Sequence, residues 1–128
     1  MTTSGNTGFS VRPLSVGAEI VGLAPGSESD PSVKAALYRT WLEYGVLLFR
    51  GVDSIERHLA ISECFGELEI HPEPTFRYPQ NPYLAELGGE KRPAAYVYDD
   101  TDVRTVRIPW HRDTAFTPDV CKGAMLRL

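Results

Sequence analysis

Few of the residues that mark a specialised environment are present. Only two of the 128 residues are cysteines, Cys64 and Cys121, which excludes a disulfide framework. They are far apart and neither lies in a CxxC pair. Two thiols alone do not make a zinc site, so free thiols, one of them buried, are expected. No stretch approaches the ~18 consecutive apolar residues that span a bilayer. Lysine and arginine number 13 against 17 acidic residues, a net charge of −4, and the basic residues are scattered. That argues against nucleic-acid and anionic-membrane partners, because neutralising phosphates needs clustered Lys and Arg. Residues 1–8 are polar and uncharged and lack the basic and apolar regions of a signal peptide, so the expected compartment is the cytoplasm. Histidine is limited to His58, His71 and His111.

What is present suffices for a core. With 42% apolar residues, wholesale disorder is excluded, and the length allows one domain. Residues 1–8 read as a loose tail. Residues 9–11 and 18–21 read as two short strands around Pro13 and Gly17. A helix follows, with Asp30 as its cap, Pro31 at its first position and Gly45 at its end. Val33, Ala36, Leu37, Trp41 and Tyr44 form its apolar face. The run 46–49, bounded by Gly45 and Gly51, reads as a buried strand. A second helix starts at Asp53 or Ser54, where Asp53 and Glu56 resemble a capping box, and runs to Gly66. His58 within it reads as a surface or core-edge histidine.

Beyond Glu67 the character changes. Residues 68–70 read as a strand, and His71-Pro72-Glu73-Pro74 forces an extended path. An aromatic and proline-rich loop with Phe76, Tyr78, Pro79, Pro82 and Tyr83 follows. Strands are predicted over 83–87, 103–108 and 123–128, with a turn over 88–93. Asp99, Asp100 and Asp102 read as a solvated loop tip, since the ordered ligand loop of an EF-hand is absent. Short strands with two early helices indicate an α+β fold, not a doubly wound one.

The chemistry-bearing motif is Trp110-His111-Arg112-Asp113. In an extended segment, positions i and i+2 face the same side, so His111 and Asp113 present an imidazole and a carboxylate together. They are two thirds of a 2-His-1-carboxylate facial triad, which holds Fe(II) and leaves positions open. An isolated HxD pattern also arises by chance, as a histidine paired to a nearby carboxylate.

Context adds specificity. The stretches PLSVGAEIVGL, LYRTWLEYGVLLFRGV, ISECFGELEIHP, PWHRDTAF and GAMLRL, in that order, resemble the TauD/TfdA family of Fe(II)- and 2-oxoglutarate-dependent dioxygenases. The resemblance covers most of residues 9–128 and implies one domain over them. That domain would be the N-terminal part of a double-stranded β-helix (jelly-roll, clavaminate synthase-like) with flanking helices. It implies His111 and Asp113 as iron ligands, with Fe(II), 2-oxoglutarate and O₂ used to hydroxylate a small molecule, and no catalytic side chain beyond the metal ligands. Symmetric homo-oligomers are common for such enzymes. The same resemblance implies His71, in the His-Pro segment, as a donor to an anionic substrate group. Phe116 is implied as a pocket-lining aromatic. The plain alternatives are a loop histidine fixed by Pro72 and an ordinary core phenylalanine.

Two positions depart from the family's taurine-oxidising members. A tyrosine three residues after the His-Pro histidine is Pro74 here. An asparagine four residues before the metal histidine is Arg107. Both argue against taurine itself. Arg107 suits a carboxylate, sulfate or phosphate of another substrate, or is a surface arginine on an alternating strand.

In the family the second metal histidine, the 2-oxoglutarate-binding arginine and a co-substrate threonine lie well after the HxD motif. Asp113 stands 15 residues before Leu128, and Arg127 is too near the motif to match that arginine. No cofactor-binding residue other than the metal pair is therefore assigned. The expectation is an N-terminal part of a dioxygenase, inactive by itself. The alternative is a non-catalytic remnant that binds a partner through open strand edges.

Overall fold

The computed structural model describes residues 8–86, 95–99, 102–105 and 110–128. The chain divides into two compact units, Met1–Glu67 with Ala124–Leu128, and Leu68–Gly123.

The first unit contains a three-stranded sheet, two helices and the buried core. Strands β1 (Ser10–Pro13) and β2 (Ala18–Val21) are antiparallel, pairing Val11 with Ile20 and Arg12 with Glu19. Their turn is closed by the Leu14 amide donating to the Gly17 carbonyl at 3.0 Å. Gly17 has φ +74°, and a Cβ there would stand 2.2 Å from the Val46 carbonyl oxygen. Glycine is thus required both by the left-handed backbone and by the close approach.

Helix α1 (Pro31–Tyr44) has the bounds its caps predict. The Asp30 carboxylate accepts from the Ser32 amide and from the Ser32 hydroxyl, each at 2.7 Å. Those bonds hold the Asp30 carboxyl below its ordinary pKa. At the other end the Gly45 amide donates to the Trp41 carbonyl at 2.7 Å, and the Trp41 indole N–H returns to the Gly45 carbonyl at 3.0 Å. The helix carries the chain across to β3 (Leu47–Phe49), which lies parallel to β2. That is the long crossover a parallel pair needs. Strand β3 is half-buried and Val46 is exposed, which corrects the expected buried strand over 46–49. A continuous apolar run predicts cover on both faces, and among the described residues β3 does not have it.

Helix α2 (Ile55–Ser62) is capped by Ser54, whose hydroxyl accepts from the Arg57 amide at 3.1 Å. It ends earlier than the expected Gly66. Cys64 and Phe65 continue the apolar pattern in a turn that is no longer helical. The core joins Ile20, Leu23, Val33, Leu37, Ile61 and Cys64, with Phe9, Leu47, Phe49, Val52, Phe65 and Met125 against it. Trp41 and Phe49 meet Phe65 edge-on at 5.5 and 6.4 Å. Cys64 is a buried free thiol as expected, and burial raises its pKa. Two acids enter this unit with cations beside them. Glu19 pairs with Arg12 and Arg50, and Glu28 lies 3.3 Å from Arg57. Arg57 also donates to the Leu23 carbonyl at 2.8 Å.

The second unit contains two separate hairpins. One pairs β4 (Arg77–Tyr78) with β5 (Asn81–Ala85), the other β6 (Ala95–Asp99) with β7 (Asp102–Thr105). A 3₁₀ turn, Pro74–Phe76, precedes the first. The expected aromatic loop is therefore partly a hairpin, and the strand expected over 83–87 lies two residues earlier. The turn over 88–93, the centre of the Asp loop and residues 106–108 fall outside the described residues. Residues 68–70 and 123–128 form no strand. A strand needs a ladder partner, and residues 124–128 instead join the first unit, where Met125 packs on the core.

The observed elements are an α+β set of small mixed sheets and two helices. No helix among the described residues is long and apolar enough to cross a membrane.

Candidate metal and substrate site

The predicted site residues that the structure describes lie in the second unit. His111 and Asp113 are in a non-helical stretch and meet side by side, with His111 Nε2 3.0 Å from Asp113 Oδ1. Their side chains are 52% and 60% exposed, so both are reachable from solvent. Trp110, next to them, is 98% exposed. Among the described residues no group of three His, Cys, Asp or Glu side chains converges for a metal.

The two donors suit a divalent transition metal. Imidazole nitrogen and carboxylate oxygen both bond such ions at ~2.1 Å. Neighbouring corners of an octahedron with those bonds lie ~3.0 Å apart, the separation seen between Nε2 and Oδ1. The same distance also serves a direct hydrogen bond, which a metal would replace. The pair therefore fits two of the three places in a facial triad.

The chain turns sharply after Asp113. Thr114 has φ +51°, left-handed for a β-branched residue, a strain of about 1–3 kcal/mol. Its carbonyl accepts from the Thr117 amide at 3.0 Å and the Thr117 hydroxyl at 2.9 Å. Its own hydroxyl oxygen is buried with no hydrogen-bond partner. Thr114 also lines a groove of about 280 Å³ with Glu69, Ile70, Pro72, Thr117 and Asp119. The segment after Asp113 and the His-Pro segment thus form walls of one groove. Thr117-Pro118 is the only local signal of this turn, since nothing in a threonine announces positive φ.

His71 is half-buried and its orientation is set locally. Its Nδ1 lies 3.1 Å from both the amide and the carbonyl of Glu73. The ring meets Phe76 edge-on at 5.3 Å. Arg77 Nε donates to the His71 carbonyl at 2.7 Å. Glu73 accepts from the Thr75 amide at 3.1 Å and from its hydroxyl at 2.9 Å. These bonds, first that of the amide, hold the Glu73 carboxyl below its ordinary pKa. Phe116 is 73% exposed and is not among the groove's lining residues. Arg107 lies outside the described residues. His58 belongs to the first unit and is buried, which corrects the expected surface or core-edge histidine.

A family model described as taurine catabolism dioxygenase TauD, TfdA family, matches residues 10–128. No curated protein and no solved structure matches the chain.

Proposed function

Because the chain belongs to the TauD, TfdA family of dioxygenases, we propose that it is the N-terminal part of an Fe(II)- and 2-oxoglutarate-dependent oxygenase acting on a small polar molecule. The supporting observation is the 3.0 Å approach of His111 Nε2 to Asp113 Oδ1 on an accessible surface. In this reading the two side chains hold the iron from one side, and a histidine not assigned among these residues completes the set. When bound, the iron activates O₂ with 2-oxoglutarate as co-substrate for oxidation of a substrate C–H bond.

The protein's own residues bind and orient. His111 must offer an unprotonated Nε2 to the metal, so binding competes with protons and weakens as pH falls. Asp113 supplies a negative charge that offsets the cation. His71, whose Nδ1 is engaged by Glu73, offers its Nε2 edge to an anionic substrate group, and Arg107 adds a fixed positive charge for the same end. Phe116 supplies an apolar contact in this reading. The rest of the family's fold, the double-stranded β-helix, belongs to the same proposal, as do residues 9–128 as one domain, a cytoplasmic setting and homo-oligomerisation.

The test is a titration of the 128-residue chain with Co(II), followed by visible absorption. Weak binding is expected, since two donors leave the facial set incomplete. His111→Ala and Asp113→Ala should each reduce it by at least about tenfold while leaving thermal unfolding unchanged. Binding that survives both substitutions would remove the metal assignment.

The second reading is a non-catalytic remnant that binds a partner through open strand edges. Under the favoured reading, a polypeptide supplying the third histidine and the 2-oxoglutarate arginine releases succinate when substrate is added. Under the second it does not.

A further inference from the structure

One buried polar group has no part in the metal or substrate chemistry. His58 lies on α2 and is 9% exposed. Its Nε2 faces the Met125 carbonyl oxygen at 3.1 Å, across 67 positions of sequence. The carbonyl can only accept, so Nε2 carries the ring proton and donates. Met125 is held a second way, by its side chain packing against the core cluster. The Ser62 hydroxyl, which donates to the His58 carbonyl at 2.8 Å, also lies 3.4 Å from Met125 Sδ. All of these groups belong to the first unit.

Their place in the chain gives the contact its consequence. The first unit ends at Glu67 and resumes at Ala124, and the intervening stretch Leu68–Gly123 carries His71, His111 and Asp113. Holding Met125 on α2 closes that stretch into a loop with both ends tethered. A stretch pinned at both ends samples fewer conformations than one pinned only at its start. The metal pair, only 12 residues before Met125, gains most from the far tether.

We propose that His58 is a positioning residue, a latch whose N–H holds the Met125 segment on α2 and so tethers the exit of the site-bearing unit. The proposal does not rest on the dioxygenase reading, because its readout is local opening and not turnover.

The experiment is limited trypsin digestion of the full chain under native conditions, followed by mass spectrometry. Cleavage of the Lys122–Gly123 bond reports release of the latch, and cleavage of the Arg39–Thr40 bond inside α1 reports global unfolding. His58→Phe keeps a ring without the donor. It should accelerate cleavage at Lys122 by roughly tenfold, the size of one lost hydrogen bond, with cleavage at Arg39 unchanged. His58→Gln retains an N–H donor and should restore the wild-type rate. Equal cleavage at Lys122 in His58→Phe and wild type overturns the proposal. So does a parallel rise at Arg39, or failure of His58→Gln to rescue. If His58→Phe does not fold, His58→Leu, which also lacks the ring N–H, should give the same selective release at Lys122. Unchanged cleavage there overturns the proposal equally.

Discussion

The two units are held together in different ways. Every buried residue identified among the described ones, polar or apolar, belongs to the first unit, from Ala18 through Cys64. The second unit presents Ile70, Phe76, Tyr83, Trp110, Phe116 and Val120 as exposed apolar side chains. Its order comes from short-range hydrogen bonds: the Glu73 carboxylate on Thr75, Arg77 on the His71 carbonyl, Thr117 on Thr114. Burial is non-local and cooperative, whereas single hydrogen bonds near water are each worth little. Among the described residues, burial is thus concentrated in the first unit and accessible groups in the second. Binding residues are generally found on such segments.

The sharpest way to break this contrast is to remove one side chain from each unit. Leu37 is fully buried. Leu37→Ala should cost about 2–5 kcal/mol through lost burial and the cavity left behind, read as a large fall in the urea midpoint. Phe116→Ala in the second unit should change stability by less than about 0.5 kcal/mol. Equal effects would mean that the two units share one cooperative core.

A smaller effect, of opposite sign, is expected at Thr114. Thr114→Gly removes a β-branched side chain from a left-handed backbone and an orphaned hydroxyl from the protein's interior. It should raise unfolding stability by about 1 kcal/mol, measured by denaturant titration. A loss of stability would show that the side chain is rewarded by contacts beyond those seen.

The smallest expected effect tests the scaffold's one buried histidine. Burial lowers the His58 pKa, the Met125 carbonyl works against that shift, and the nearby Arg127 charge adds to it. The folded state thus prefers His58 neutral. Its contribution is full above the ordinary histidine range near pH 6.5 and is lost as pH falls through and below that range. Thermal unfolding should occur at progressively lower temperature from pH 7.5 to 5.5, with a shallower slope in His58→Gln. Identical slopes would remove His58 from the pH response.

Legibility in the sequence followed how local each cause was. Helix α1 was readable at both ends because Asp30, Pro31 and Gly45 act within a few residues of where they stand. Strand β2 was readable from its short apolar-rich run with β-branched residues after Gly17. The end of α2 was misplaced because Cys64 and Phe65 keep a helical apolar spacing after the helical hydrogen bonds stop. A strand was expected over 123–128, but Met125 found a partner on α2, 67 positions away, and no ladder. The proximity of His111 to Asp113 was readable because residues two apart in a short non-helical piece can face the same side. The positive φ of Thr114 was not, since it is imposed by the turn around it.

The sequence by itself determined the helix α1 and its caps, the family, and the proximity of His111 to Asp113, because each depends on neighbours in the chain or on an ordered set of short motifs. Only the tertiary structure decided that β3 lies parallel to β2. It alone buried His58 against a carbonyl 67 residues away and brought the segment after Asp113 beside Ile70 and Pro72. Those outcomes depend on which distant surfaces exclude water together, and no local pattern of residues encodes that choice.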